Sequence, residues 1–233
     1  MITRILKAFL PTIVIAAFGI LVAVSFLQDQ ERHQKSNMKL ELEELLSGFR
    51  DAIRRYEESI NSVRGFYRAS QFVDRSEFTV FVSEILENQT AMQAIEWIPE
   101  VEEGKREQFI ESARTDGLTE FDFLRWTPTL GWQAQPDPWS RVYYPVFYVE
   151  PLQPNRAALG IDLGSHEDRL RAIRNSFTRE KPVASDPIQL AQGGRGVLLI
   201  SPIYRQVEAQ SFSHRQQQGL ILVVLNLNTF FEE

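Results

Sequence analysis

The 233-residue chain contains no cysteine and only three histidines. The absence of cysteine excludes disulfide bridges and thiolate metal sites, and it suits an exported domain that folds without a redox partner. His33, His166 and His214 lie far apart and never at the helical spacing of paired metal ligands. We therefore expect no metal site, no cofactor and no serine–histidine catalytic centre.

A basic surface is also missing. The chain has 25 lysines and arginines against 31 acidic residues, which gives a formal net charge of −6. Proteins that bind nucleic acid need a basic face for phosphate contacts, and no stretch of this sequence supplies one. The composition therefore excludes nucleic acid as a partner.

Residues 8–27 form a run of twenty residues without a charged side chain. As a helix this run would be about 30 Å long, the thickness of the hydrocarbon core of a bilayer. Arg4 and Lys7 precede it, so the positive-inside rule places residues 1–7 in the cytoplasm. The sequence predicts a single transmembrane helix with the rest of the chain outside, which for a bacterial inner membrane is the periplasm.

A cleaved signal peptide is the alternative interpretation of the same run. Residues 23–25, Ala-Val-Ser, resemble a small-residue cleavage site. The apolar stretch is longer than the usual signal core of about 7–15 residues, which favours an uncleaved anchor.

Residues 28–72 are predicted to form one long stalk helix. Its apolar positions recur at steps of three and four residues and include Leu42, Leu45, Phe49, Tyr56, Ile60 and Val63. An exposed helix of about 40 residues needs a partner along its apolar stripe, either its own domain or a second copy of the chain. The two arrangements are compatible, and we expect a homodimer.

Residues 73–233 show a mixed α+β pattern. Asp74 and Glu77 form a predicted capping box, and residues 94–98 form a predicted strand. Two final strands are predicted at 197–203 and 219–227, with a polar loop at 206–218 between them. The fold class is therefore α+β: a transmembrane helix, a stalk helix and two small antiparallel-sheet halves with helices on the sheet faces.

Three other local patterns concern a turn, a strand and a helix cap. Residues 193–196 predict a hairpin turn and not a phosphate loop, because no Gly-Lys-Ser/Thr follows. Residues 143–149 form a predicted strand, which Pro145 places towards a sheet edge or a bulge. Ser165 and Asp168 predict the N-cap of a helix.

Six short segments together resemble the CHASE domain, the extracytoplasmic sensor of bacterial signalling proteins and plant cytokinin receptors. They are Ala94-Ile95-Glu96-Trp97-Ile98-Pro99, Arg106-Glu107-x-Phe109, Tyr143-x-Pro145-Val146, Glu150-Pro151-Leu152, Leu159-Gly160-Ile161-Asp162-Leu163 and the GVLLISPIY block at 196–204. Their order and spacing carry the resemblance, which extends over roughly residues 78–225.

The resemblance implies a long stalk helix that carries two PAS-like halves, with a small-molecule ligand in the membrane-distal half. It also implies a second membrane helix and a cytoplasmic kinase, cyclase or phosphodiesterase as output, in a longer protein of which this chain is the sensor portion. The residues that match the ligand pocket of the family are Arg141, Tyr143, Ile161, Ser185, Ile188 and Tyr204.

This sequence departs from the cytokinin receptors at the residues that recognise the hormone. Arg141 stands where those receptors carry an aspartate, and the bulky residues 222–224 stand where they carry small ones. A guanidinium offers a fork of donors, so we expect a small anionic ligand, carboxylate or phosphate-bearing, in place of a cytokinin. The alternatives for Arg141 are a salt bridge to Asp137, Glu150 or Asp162, and plain solvent exposure at the start of a strand.

The sequence thus predicts a membrane-anchored, extracytoplasmic ligand-sensing domain of a signal-transduction receptor, without enzymatic activity of its own. The first alternative is a membrane-tethered hydrolase that uses Glu96 and Asp162 as a carboxylate pair. The second is a sensor without a ligand that reports on a partner protein through its stalk. For Asp162 the other interpretation is a brace of its own turn, and Trp97 is expected in the core.

Overall fold

The computed structural model describes residues 43, 46–48, 50–87, 89–134, 140–191, 193–209 and 212–230. The predicted membrane segment, residues 8–27, lies outside this part of the chain, as does much of the predicted stalk. Within the described residues, no helix is both long enough and apolar enough to cross a bilayer.

The chain divides into two compact units, Met1–Arg54 and Arg55–Glu233. The described residues of the first unit are helical. In the second unit, residues 55–69 are helical and are called α1 here. Helix α1 ends three residues before the end of the predicted stalk.

Among the described residues of the second unit, five further α-helices follow. They are α2 (Arg75–Leu86), α3 (Arg106–Thr115), α4 (Leu152–Asn155), α5 (Glu167–Arg179) and α6 (Leu227–Phe230). The capping box predicted for α2 is confirmed: the Asp74 side chain accepts a hydrogen bond from the Glu77 N–H, and the Glu77 side chain accepts one from the Asp74 N–H.

The described part of the chain also contains ten strands, which lie between and after these helices. They are β1 (Met92–Pro99), β2 (Val101–Glu102), β3 (Arg125–Thr127), β4 (Gly131–Gln133), β5 (Val142–Tyr143), β6 (Tyr148–Glu150), β7 (Val183–Ala184), β8 (Ile188–Gln189), β9 (Arg195–Ala209) and β10 (Phe212–Asn226). The single strand predicted at 143–149 is wrong: β5 and β6 are separate strands, and Pro145 lies between them.

Six strands form one antiparallel sheet in the order β6-β1-β10-β9-β7, with β8 also paired to β9. Two small antiparallel sheets, β2–β5 and β3–β4, stand beside it. The predicted mixture of helices and antiparallel sheet is confirmed. The division into two PAS-like halves stays a prediction, because the described residues contain one large sheet and not two of similar size.

Strands β9 and β10 form a long hairpin that continues through residues predicted as a loop. Their pairing extends from Asn226 opposite Gly196 to Phe212 opposite Ala209. The predicted loop at 206–218 is therefore wrong. Hydrophobic periodicity reports which side chains are buried, whereas ladder hydrogen bonds join backbone groups and need no apolar side chain. The predicted turn at 193–196 is confirmed by the pairing of β8 with β9.

The predicted helix N-cap at Ser165 is also wrong. Ser165 belongs to a 3₁₀ turn, Leu163–Ser165, and α5 begins at Glu167. The Ser165 hydroxyl donates to the Asp162 carbonyl oxygen at 2.7 Å and accepts from the Trp126 N–H at 2.9 Å. Ser165 thus ties the turn to β3, a contact between distant segments that a local capping pattern cannot indicate.

The large sheet has helices on both faces. Because side chains alternate along a strand, Glu96 shares one face of β1 with Ala94 and Ile98, and Trp97 faces the other side. Ala94 and Ile98 belong to the core cluster that includes residues of α5. Trp97 stacks on Tyr67 of α1, with ring centroids 4.5 Å apart. Neighbouring residues of β1 thus contact α5 on one side and α1 on the other.

Candidate functional site

Two buried ionisable residues face each other between the large sheet and α5. Glu96 lies in the middle of β1 with 3% of its surface exposed, and Arg169 lies in α5 with 7% exposed. Burial raises the pKa of the Glu96 carboxyl to about 8, and the nearby Arg169 guanidinium offsets only part of that rise. Burial lowers the pKa of Arg169, while Glu96 raises it. Glu96 is therefore mostly protonated at neutral pH.

Glu96 and Arg169 border the same small cavity. Among the described ion pairs no direct salt bridge joins them, although each affects the pKa of the other. The cavity has a volume of about 20 Å³, and its apolar walls include Val146, Ile161, Ile188, Leu198 and Val224. A space of this size holds about one water molecule. The cavity is a narrow gap beside two polar groups, too small for a metabolite.

Two contacts fix the position of Arg169. Its Nη2 donates to the Gln189 carbonyl oxygen at 3.3 Å, and its guanidinium lies 4.9 Å from the centre of the Trp132 ring. Its Nε is buried without a hydrogen-bond partner among the described residues. Trp132 belongs to the β3–β4 hairpin, where it packs edge-on against Trp126 with centroids 5.2 Å apart. Arg169 therefore retains an Nε–H donor without a partner among the described residues, and the Trp132 ring lies over its guanidinium.

A larger cleft lies on the opposite face of the sheet, beside α1. Its volume is about 330 Å³, and we call it the aromatic cleft. Its walls include Tyr67, Trp97, Phe109, Phe147, Tyr148 and Tyr204. The polar residues at this cleft include Gln108, Ser112, Arg205 and Gln218.

The structure brings together two of the six predicted ligand residues. Ile161 and Ile188 line the cavity beside Glu96 and Arg169. Tyr204 lines the aromatic cleft on the other face of the sheet.

The other three predicted residues lie elsewhere. Tyr143 is buried against Phe123, with ring centroids 5.6 Å apart. The hydroxyl of Ser185 donates to the Asp186 carbonyl oxygen and accepts from the Leu198 N–H, so it helps to hold a sheet edge. Arg141 is exposed and lines neither cavity. An anion site at Arg141 stays a prediction.

Asp162 braces a turn. Its carboxylate accepts hydrogen bonds from the Tyr144 N–H at 2.8 Å and the Gly164 N–H at 3.0 Å, and only 3% of the residue is exposed. The turn interpretation of Asp162 is confirmed. Because this carboxylate already serves two backbone donors, the geometry gives no support to a catalytic pair with Glu96.

The prediction from sequence missed Arg169, although its spacing carried a signal. Four residues of α5 are buried: Arg169 and the residues three, four and seven positions after it, Ala172, Ile173 and Ser176. Arg169 therefore occupies the apolar stripe of an amphipathic helix. A charged residue at such a position predicts either a buried partner or a functional site.

The sequence profile of the CHASE domain family matches residues 71–233. The chain belongs to this family. CHASE domains are extracytoplasmic sensor domains of signalling receptors, which fits a region without enzymatic activity of its own. The predicted family membership is confirmed.

One curated relative and one solved structure are similar to this CHASE chain over most of its length. The germination-specific adenylate cyclase of Dictyostelium discoideum is 21% identical over 201 residues, which cover 84% of this chain and 23% of that protein. The chain thus spans about a quarter of the length of that relative. An extracellular ligand binding receptor from Desulfohalobium retbaense DSM5692 superposes with a TM-score of 0.48 at 11% identity, over 80% of this chain and 24% of that chain.

Proposed function

We propose that this CHASE domain binds a small ligand between the large sheet and α5, with Glu96 and Arg169 as the polar anchors. The observation that carries the proposal is the pair of buried ionisable groups at one cavity without a direct salt bridge. Burial of such groups is costly unless they are paired and hydrogen-bonded. A ligand that bridges them would recover much of that cost.

The chemistry of the two anchors suggests a class of ligand. Arg169 has a free Nε donor and suits a carboxylate or phosphate, which a guanidinium binds with two parallel hydrogen bonds. A protonated Glu96 can donate or accept one hydrogen bond, and an ionised Glu96 only accepts. We therefore propose a small polar molecule with an acidic group at Arg169 and a hydrogen-bonding group at Glu96.

Ligand binding at this site requires the cavity to enlarge. About 20 Å³ is far below the roughly 300–1,000 Å³ of ordinary ligand pockets. The β3–β4 hairpin is the segment best placed to move, because its Trp132 rests on Arg169. We propose that the hairpin shifts outward when ligand enters, which would make the free and bound states structurally different.

The same sheet offers a route from the ligand to α1. Glu96 faces the cavity, and the next residue, Trp97, stacks on Tyr67 of α1. A ligand can shift an equilibrium between two arrangements only by its differential affinity for them. We propose that displacement of β1 at Glu96 changes the packing of Trp97 against α1.

The remaining parts of the proposal rest on the sequence. We propose that residues 8–27 anchor the chain in a membrane, that residues 28–72 form a dimeric stalk, and that the sensor lies outside the cytoplasm, in the periplasm of a bacterium. A cytoplasmic output domain would belong to the longer protein. The name of the adenylate cyclase relative, of which this chain covers 23%, is compatible with an enzymatic output in such proteins.

A thermal-shift screen of the full chain in a non-ionic detergent tests the ligand site. The panel contains organic acids, amino acids, sugar phosphates, purines and cytokinins. A ligand at about one hundred times its dissociation constant adds about 2.7 kcal/mol of stability, which raises the melting temperature by several degrees. We expect an acidic compound to give such a shift.

Two variants decide whether that shift arises at the proposed site. Arg169→Gln should abolish it, and the matched control Arg174→Gln, on the exposed side of α5, should retain it. Glu96→Gln should weaken the shift without abolishing it, because glutamine keeps the shape and one donor. An undiminished shift in Arg169→Gln would overturn the proposed site.

A further inference from the structure

The aromatic cleft is separate from the Glu96–Arg169 cavity. It lies between α1, α3 and the opposite face of the large sheet, and its volume of about 330 Å³ falls within the range of ordinary ligand pockets. Its walls combine large apolar surfaces with a few polar side chains, which is the usual composition of such pockets. Unlike the cavity beside Arg169, the cleft can accept a ligand without enlarging.

An exposed aromatic side chain at the cleft points to a flat apolar ligand. Phe72 lines the cleft with 75% of its surface exposed. Deeper in the cleft, Trp97 stacks on Tyr67, and Phe109 meets Phe147 edge-on with centroids 5.3 Å apart. A planar ring placed among these side chains would bury apolar surface of Phe72 that is now in water.

Arg205 adds one positive charge to the cleft. Its Nη2 donates to the backbone oxygens of Ser70 at 3.2 Å and of Gln71. Among the described residues, its Nε and Nη1 have no further hydrogen-bond partner. The guanidinium is therefore held in place by one nitrogen and still offers donors to an anion.

We propose that the aromatic cleft is a second binding site, for a planar aromatic acid whose ring lies against Trp97 and whose carboxylate binds Arg205. Its occupation would tie α1 to the sheet, because Tyr67 and residues 70–73 form one wall and Trp97 forms another. This site is independent of the ligand proposed at Glu96 and Arg169. It would regulate how firmly α1 is held on the sensor domain.

A matched pair of probes tests the proposed class of ligand. 2-Naphthoate carries the ring and the carboxylate, and 2-naphthalenemethanol carries the same ring without the charge. Both are titrated against the full chain in one non-ionic detergent, and the melting temperature is followed by tryptophan fluorescence. We expect naphthoate to raise the melting temperature by several degrees and to bind at least tenfold more tightly than the alcohol.

Three variants assign the effect to the cleft. Arg205→Gln should reduce the affinity for naphthoate to that for the alcohol, while Arg195→Gln, an exposed arginine of the same strand, should change neither. Ser112→Trp should block both probes by filling the cleft from α3, where Ser112 is exposed and a larger side chain can be accommodated without disturbing the core.

Three results would overturn the proposal. The first is equal affinity for naphthoate and the alcohol in the unmodified chain, which removes the role of Arg205. The second is full binding of naphthoate by Ser112→Trp, which places the probe outside the cleft. Loss of naphthoate binding in Arg169→Gln but not in Arg205→Gln would also overturn it, by assigning the probe to the other cavity.

Discussion

Replacement of Glu96 by glutamine keeps the size and shape of the side chain and removes its buried titration. In the folded chain the pKa of Glu96 is about 8, compared with 4.5 for the free group. At any pH between these two pKa values, folding is accompanied by the uptake of a proton at Glu96. Low pH therefore stabilises the folded state. This contribution is fully present below the unfolded pKa and is lost as the pH rises towards 8.

The magnitude follows from the same two pKa values. While the unfolded chain has released the proton and the folded chain retains it, each unit of pH lowers the free energy of unfolding by about 1.4 kcal/mol. Between pH 5 and pH 8 the loss amounts to about 3 kcal/mol. Glutamine does not titrate, so we expect Glu96→Gln to gain about that much stability relative to the unmodified chain over this interval.

Urea unfolding of the full chain in a non-ionic detergent, followed by tryptophan fluorescence at pH 5, 6.5 and 8, measures the difference between the two chains. Other titrating groups are common to both and cancel. Glu84→Gln, the same exchange on the exposed side of α2, serves as the control and should show a constant difference. A constant difference for Glu96→Gln as well would refute the reasoning, since it would mean that Glu96 is ionised in the folded chain.

Substitutions at three further positions test the turn and the aromatic cleft. Asp162→Ala should lower the free energy of unfolding by about 3 kcal/mol, because the Tyr144 and Gly164 N–H groups lose their acceptor. In the same urea assay, Asp162→Asn should lower it by less than half of that amount. Gly160→Ala should lower the free energy of unfolding by at least about 2 kcal/mol, because φ of Gly160 is +77° and a Cβ would meet the Asp122 carbonyl oxygen. A loss of stability within experimental error would contradict this prediction. Phe72→Ser should change stability by less than about 0.5 kcal/mol and weaken naphthoate binding, and unchanged binding in a titration would remove Phe72 from the proposed site.

Local sequence patterns predicted several elements correctly. The capping box at Asp74, the strand at 94–98 and the turn before β9 all depend on residues close together in the chain. Each pattern involves residues only a few positions apart, so it can be recognised without the tertiary structure. The ordered set of short segments likewise sufficed to identify the CHASE family over roughly residues 78–225, and the family profile matches residues 71–233.

The extent of the β9–β10 hairpin was beyond the sequence. Residues 206–218 are polar, and polarity between two apolar runs predicts a loop. In the structure their backbone groups continue the antiparallel ladder. Whether a polar segment pairs depends on where its partner strand ends, and that is a property of the whole sheet.

The candidate site also combines features that the sequence indicates with features that depend on the tertiary structure. The sequence by itself determined the family and several local elements, such as the capping box at Asp74 and the strand at 94–98. Only the tertiary structure decided that Glu96 of β1 and Arg169 of α5 border one cavity, while Tyr204 lies on the other face of the sheet and Arg141 remains exposed. Periodicity indicates that a side chain points inward, but the group it meets there depends on how distant elements pack.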